Sequence, residues 1–159
     1  TRSYSVTGVQ TCALPIYKHD CASILTALPD WFGIPEANAF YMENLNKFPS
    51  WVAMIHSKVV GVISLERPFP GSFEIHFMAV HPDYHRQGIG RLLVNRVEEE
   101  ARNDAGNWLV VKTLSPSHSD PHYARTREFY SALGFSPLFE SDTIWGPDNP
   151  AIIDRKSVV

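Results

Sequence analysis

The sequence is poor in cysteine, with only Cys12 and Cys21 among its 159 residues. Two cysteines are too few for the disulfide framework that stabilises many small secreted domains, so we expect a reducing compartment, the cytoplasm. The chain also lacks an apolar run near the roughly 20 residues that cross a bilayer. A membrane is therefore not expected as a partner.

An excess of positive charge is missing as well. Asp and Glu number 17 against 14 Lys and Arg, which gives a formal net charge of −3 at pH 7. Nucleic-acid-binding domains usually carry a basic patch or stripe, and this sequence has none, so a nucleic-acid partner is not expected. Repeats and low-complexity tracts are also absent, and the length suits one domain.

The two ends of the sequence are similar to peptides that a sequencing procedure leaves behind. Residues 1–16 resemble a translated short-read adapter, and residues 154–159 resemble the partner adapter read to its in-frame stop. Segments of this kind are set aside in fold reasoning. We expect both to be non-native and to flank a single domain at residues 17–153, in which Cys21 has no cysteine partner.

Apolar residues recur at helical spacing in some segments, whereas β-branched and aromatic residues dominate others. Asp20 is a candidate N-cap, and Ser57-Lys58 is the expected turn between the first two strands. The predicted order is α, α, β, β, β, α, β, α, β, an α/β fold. The predicted helices cover residues 20–28, 35–47, 90–103 and 126–133, and the predicted strands cover 51–56, 59–65, 73–80, 108–113 and a segment from Phe135.

A loop with two glycines, residues 81–91, joins a predicted strand to a predicted helix. Backbone N–H groups at a helix N-terminus lack internal acceptors and attract anions, and glycine lets a phosphate approach closely. A nucleotide-binding Walker loop would need Lys and Ser or Thr after Gly90, where Arg91 and Leu92 stand. A dinucleotide fingerprint would need a third glycine at Leu93. The pattern predicts a phosphate site of another kind.

This loop resembles the pyrophosphate loop of the GNAT acyltransferase superfamily, written Gln/Arg-x-x-Gly-x-Gly/Ala, with His85 in the place of Gln or Arg. A second segment, residues 127–135, is similar to the Phe-Tyr-x-x-x-Gly-Phe signature of the same superfamily. The resemblance implies the GNAT (acyl-CoA N-acyltransferase) fold, a mixed central sheet with helices on both faces. Its order would be (β)ααβββαβαβ(β), with the terminal strands clipped. It also implies acetyl-CoA as co-substrate.

Strand side chains alternate, so Glu74, His76 and Met78 share one face of the strand at residues 73–80. The resemblance makes Glu74 the first candidate for the base that takes the amine proton and His76 the second, and it makes Tyr130 the acid that protonates the CoA thiolate. Its implied cofactor-binding residues are Met78, Ala79, Val80, His85, Arg86, Gln87, Gly88, Ile89, Gly90 and Arg91.

Two aromatic, turn-rich segments lie where GNAT proteins build the acceptor pocket. Trp31, Phe32 and Trp145 either line that pocket or pack as a lid on the sheet. Residues 117–122 contain metal-ligand residue types, but a connecting loop is the better interpretation, and no metal is expected.

The predicted function is N-acetyltransferase: transfer of an acetyl group from acetyl-CoA to a primary amine, of a small molecule, by direct attack in a ternary complex. The alternatives are a non-catalytic acyl-CoA-binding or interaction domain on the same fold and a protein-directed acetyltransferase. A second copy of the chain, giving a homodimer, is left open as a partner.

Overall fold

The structure is a computed structural model, and it describes residues 8–11 and 17–159. The remainder of the predicted N-terminal segment lies outside the described residues. The chain forms two compact units, each described by itself below. Unit 1 consists of Thr1–Glu66 and His76–Glu100, and unit 2 consists of Arg67–Ile75 and Ala101–Val159.

The elements confirm the predicted α/β order and add a strand near each end. The helices and strands follow one another along the chain in the order β1-α1-α2-β2-β3-β4-α3-β5-α4-β6-β7. The helices are α1 Lys18–Thr26, α2 Pro35–Asn44, α3 Ile89–Asn103 and α4 Pro121–Ala132. The strands are β1 Gly8–Thr11, β2 Ser50–Ile55, β3 Lys58–Phe69, β4 Ser72–Val80, β5 Trp108–Leu114, β6 Ser136–Ser141 and β7 Ala151–Ser157.

In unit 1, β1 and β2 are antiparallel, with Gly8 opposite Met54. The next pair, β2 and β3, is also antiparallel, but the predicted turn at Ser57-Lys58 was wrong by one residue. Lys58 already belongs to β3 and lies opposite Ile55. The turn residues are His56 and Ser57, whose φ angles of 48° and 64° are both positive. Two-residue hairpin loops with this twist need positive φ at both positions.

The core of unit 1 lies between its two N-terminal helices and the strands β2 to β4. Removing this apolar surface from water drives the packing, at roughly 25 cal/mol per Å². Its fully or nearly buried members are Cys21, Ile24, Leu25, Leu28, Met42, Leu45, Val52, Met54, Val59, Val62, Phe77 and Ala79.

Helix α3 packs closely on β3 within unit 1. A Cβ atom added at Gly61 of β3 would lie 3.1 Å from Leu93 Cδ1 and 3.3 Å from Ile89 Cγ2. Glycine therefore permits this approach, and it fixes the first turn of α3 beside the strand. The residues that start α3 are those of the predicted phosphate loop.

In unit 2, β4 and β5 are parallel, with Ser72 opposite Trp108. Strand β7 pairs with both β5 and β6 in antiparallel fashion. Its residues extend beyond Ile153, the last residue of the expected native domain, and Asp154, Arg155 and Lys156 pair with β5. A strand therefore continues across that expected boundary.

Two predicted helix starts were wrong. Helix α4 begins at Pro121 and not at residue 126, because the Asp120 side chain accepts hydrogen bonds from the N–H groups of His122 and Tyr123. Helix α1 begins at Lys18, before the predicted cap Asp20, which lies in the first turn. No helix in the described part of the chain is long and apolar enough to cross a membrane.

Candidate active site

The predicted phosphate loop begins where β4 ends, in unit 1. A short 3-10 turn at Pro82–Tyr84 follows the strand. The ring of His85 then turns back, and its Nε2–H donates to the Val80 carbonyl oxygen at 2.7 Å. The Trp31 ring meets the His85 ring edge-on, with centroids 6.0 Å apart. The His85 side chain therefore links the loop to the end of β4, at the position where the GNAT pyrophosphate-loop motif has Gln or Arg.

The backbone between His85 and α3 contains two residues in the left-handed region. Arg86 and Gly88 both have positive φ, 59° and 81°. Left-handed residues in such a turn direct successive N–H groups toward one point, a geometry that binds anions. The Leu92 N–H donates to the Gly88 carbonyl, so Gly88 is the residue from which the α3 ladder starts.

The surroundings of this turn suit a diphosphate. A Cβ atom added at Gly88 would find no atom within 4 Å, so the space above the glycine is open. The N–H groups of Ile89, Gly90 and Arg91 begin α3 and have no acceptor inside the helix. The Arg86 and Arg91 side chains are exposed. Backbone donors, a helix dipole and two cations thus occur together, the combination that phosphate binding requires.

The other predicted cofactor residues lie in the loop and at the end of β4. The Gln87 amide donates to the Asp83 carbonyl at 3.4 Å, inside the loop. Along the end of β4, Ala79 is buried, whereas Met78 and Val80 are partly exposed. A role of these three residues in binding CoA stays a prediction.

His76 lies in a polar chain that the sequence did not predict. The Asn44 amide Nδ2 lies 3.1 Å from His76 Nε2, and Glu66 Oε2 lies 3.6 Å from His76 Nδ1. The ring is nearly enclosed, with 10 % of its side-chain surface exposed. Four aromatic rings surround it at centroid distances of 5.1 to 6.3 Å, those of Phe40, Tyr41, Phe48 and Phe77.

The aromatic residues near His76 differ in exposure. Phe40 is 53 % exposed, whereas Tyr41 stacks on Phe77 at 5.1 Å, and burial raises the pKa of its phenol. Phe32 meets Tyr41 edge-on at 6.0 Å and packs against the unit 1 core. Two of the predicted pocket residues, Phe32 and the half-buried Trp31, therefore pack against other side chains of unit 1. Phe40 has an exposed ring close to His76, and the sequence analysis did not name it as a pocket residue.

Glu74 lies in unit 2, where its carboxylate pairs with a lysine that sequence reasoning also missed. Lys112 Nζ of β5 lies 2.8 Å from Glu74 Oε1, and the Glu74 side chain is 13 % exposed. A carboxylate has two oxygens and about four acceptor positions, so this bond leaves Oε2 able to accept another hydrogen bond. The contact orients the carboxylate.

Tyr130 is buried in unit 2, on α4. Its ring packs edge-on against Phe129 and Phe135, with centroids 5.0 and 5.4 Å away. Burial raises the pKa of the Tyr130 phenol, and Tyr123 raises it further, so the phenol retains its proton at neutral pH. Arg127 of the same helix donates to the Leu114 carbonyl at 2.6 Å and ties α4 to the end of β5.

The third predicted pocket residue, Trp145, is 43 % exposed in unit 2, in the segment between β6 and β7. Gly146 beside it has a φ of 87°.

Within the described ranges, no three His, Cys, Asp or Glu side chains lie together as a metal-binding group.

The chain is similar to known proteins in sequence and in fold. The family model for the acetyltransferase (GNAT) domain matches residues 46–137. No curated protein matches. Among solved structures, an acetyltransferase of the GNAT family from Desulfovibrio desulfuricans superposes with a TM-score of 0.83 at 21% identity, covering 96% of this chain and 99% of that chain.

Two further structures are similar. An aminoglycoside 6'-N-acetyltransferase complexed with coenzyme A gives a TM-score of 0.76 at 20% identity, covering 96% of this chain and 98% of that chain. The ribosomal-protein-S18-alanine N-acetyltransferase from Escherichia coli gives 0.75 at 17% identity, covering 95% of this chain and 93% of that chain. At these identities the likeness concerns the fold.

Proposed function

The chain belongs to the GNAT acetyltransferase family and is an acyltransferase, and from that premise we propose that it transfers an acetyl group from acetyl-CoA to the primary amine of a small molecule. The observation that carries this proposal is the turn from Arg86 to Gly88 at the start of α3, with its positive φ angles and open space. This geometry supports binding of the CoA diphosphate. A similar fold has been solved with coenzyme A.

Direct transfer in a ternary complex requires three events. The neutral amine nitrogen attacks the thioester carbonyl carbon, the carbon–sulfur bond breaks, and the amine proton leaves while the thiolate gains one. In the proposal Glu74 is the first candidate for the proton acceptor and His76 the second. The contacts of the two candidates support Glu74 over His76 as the proton acceptor. Glu74 has a second carboxylate oxygen besides the one that contacts Lys112, whereas His76 Nε2 already accepts a hydrogen bond from the Asn44 amide.

Tyr130 is the proposed proton donor to the CoA thiolate. Its raised pKa supports this role only in part, because the phenol is reliably protonated but is a weak acid in isolation. A thiolate leaving group generated beside it is the base that would draw the proton. The assignment rests on the family signature around Phe129 and Tyr130.

A small-molecule acceptor is supported by the acidic composition and by the exposed Phe40 ring. The experiment is a thiol-release assay with acetyl-CoA and three amines, kanamycin, spermidine and 2-phenylethylamine, alongside a hexapeptide with N-terminal alanine. Thiol release with an acetylated small amine in the mass spectrum supports the proposal. Acetylation of the hexapeptide alone would favour a protein-directed enzyme, and CoA binding without thiol release would favour a non-catalytic domain.

A further inference from the structure

The polar chain around His76 consists of one hydrogen bond and one longer contact to a carboxylate. The Asn44 Nδ2 group carries only hydrogens, so it donates, and His76 Nε2 accepts at 3.1 Å. In the neutral ring the proton therefore sits on Nδ1, the nitrogen that faces Glu66 Oε2 at 3.6 Å. The chain runs from the Asn44 amide through the ring to the Glu66 carboxylate.

The three members of this chain differ in their access to solvent. Asn44 is 3 % exposed and His76 is 10 % exposed, whereas the Glu66 side chain is 34 % exposed. A buried amide thus holds the inner end of the array, and a carboxylate forms the outer end. A ligand arriving from solvent would meet Glu66 first.

Among the described residues, the Glu66 carboxylate has His76 as its ion-pair partner, at 3.6 Å, and no lysine or arginine partner. Across residues 8–11 and 17–159, the lysine and arginine ion pairs involve other acidic residues, such as Glu43 with Lys47. The Phe40 and Phe48 rings, which flank His76, add aromatic surface beside the array. Aromatic faces and a carboxylate are the two groups that attract an organic ammonium ion.

We propose that Glu66 binds the ammonium group of the acceptor amine, and that Asn44 and His76 act as positioning residues that hold its carboxylate. The acceptor class is a cationic primary amine with an apolar or ring face next to the charge. This inference rests on the proposed function, since it concerns the same acceptor. It assigns Glu66 to binding of the charged amine and leaves the later loss of the proton to the first candidate base of the proposed function.

The test compares Glu66→Gln with Glu43→Gln, a matched change at an exposed carboxylate of the same unit. Loss of a charge-assisted contact is expected to raise the KM for the amine that is turned over by about 10- to 100-fold, with kcat within about threefold and the KM for acetyl-CoA unchanged. Glu66→Asp, which retains the charge, should recover part of the loss. Glu43→Gln should match wild type, and melting curves confirm that the variants fold.

Calorimetry with kanamycin, spermidine and 2-phenylethylamine, without acetyl-CoA, separates this inference from the proposed function. If amine binding is weakened in Glu66→Gln but no acetyl transfer occurs in wild type, the function fails and the inference stands. If transfer proceeds and the amine KM of Glu66→Gln equals that of Glu43→Gln, the inference is overturned and the function stands. Failure of wild type to bind any of the three amines also overturns the inference.

Discussion

At the residue scale, Tyr130 carries the proposed acid role. Replacing it by Phe removes only the hydroxyl from a ring that packs between Phe129 and Phe135, so the fold should persist. We expect kcat for thiol release to fall by about 100-fold or more, the usual contribution of general acid catalysis. Initial rates of thiol release at saturating substrate give kcat. As a control for CoA binding, the rise in melting temperature caused by CoA should be the same as in wild type. An unaltered kcat would contradict the assignment.

The raised pKa of the Tyr130 phenol should make the free energy of unfolding depend on pH in the alkaline range. Its folded-state pKa is raised by burial, so above the ordinary tyrosine pKa the unfolded chain loses this proton while the folded chain keeps it. That contribution is fully present below pH 10 and declines as pH rises. From pH 9 to pH 11, wild type should lose roughly 1 kcal/mol more unfolding free energy than Tyr130→Phe.

Urea unfolding at the two pH values measures this difference, and the Phe variant cancels other groups that titrate in the same range, including Tyr41. Parallel losses in both proteins would show that the Tyr130 phenol is not shielded from ionisation.

Sequence reasoning could find individual candidates but not their partners. Strand alternation and the family resemblance singled out Glu74 and His76. The partners Lys112, Asn44 and Glu66 were missed, because each comes from another helix or strand and no local pattern encodes such pairings. A weak signal existed for Glu66, a charged residue directly after a long buried run in β3.

At the element scale, the start of α3 should depend on the backbone of Gly88. Its φ of 81° is costly for a residue with a Cβ atom, although the space for that atom is open. Gly88→Ala should cost roughly 1–2 kcal/mol of stability and should weaken CoA binding at least tenfold, because the N–H groups of the turn rearrange.

A matched control for this change is Gly146→Ala. Gly146 has a φ of 87° and equally open space, but it lies between β6 and β7. Both variants should lose similar stability in urea unfolding, while only Gly88→Ala should lose CoA affinity in calorimetry. Equal CoA affinity in the two variants would argue against the loop as the diphosphate site.

The elements themselves were largely predictable, and the errors have local causes. Helix α4 was predicted too short, because Asp120 and Pro121 act as cap and first residue at a start that apolar spacing does not mark. The turn at His56 and Ser57 was misplaced, since neither residue is among the Asn, Asp and Gly types that mark two-residue hairpin turns.

At the scale of the whole molecule, residues 154–159 are part of unit 2. Four of them pair with β5, Arg155 lies over the Trp108 ring at 4.1 Å, and Val158 is 3 % exposed. Deleting residues 154–159 should lower the unfolding free energy by roughly 3–5 kcal/mol, through lost ladder bonds and buried apolar surface. Urea unfolding of the shortened chain measures this.

Removal of Val159 alone, which is 89 % exposed, is the control and should leave stability unchanged. If the longer deletion were equally neutral, the residues after Ile153 would contribute nothing to the stability of unit 2. The origin of this segment remains a separate prediction, since a strand mainly requires backbone pairing and is compatible with many sequences.

The family fold was predictable because two motifs, the loop at residues 85–90 and the segment at residues 127–135, occur in the right order on the right elements. The family match at residues 46–137 and the similar solved structures confirm that fold. The acceptor was not predictable, because the residues proposed to bind it, around His76, are brought together only by tertiary structure.

Acetyl transfer itself is tested most directly with acetyl-CoA carrying a labelled acetyl group, incubated with the protein and kanamycin, spermidine or 2-phenylethylamine. Mass spectrometry then follows the label. The proposed function predicts labelled acetyl on a small-molecule nitrogen in an amount equal to the free thiol released, and loss of both signals in Tyr130→Phe. Label that stays on CoA with every amine, in a protein whose melting temperature CoA raises, would contradict it.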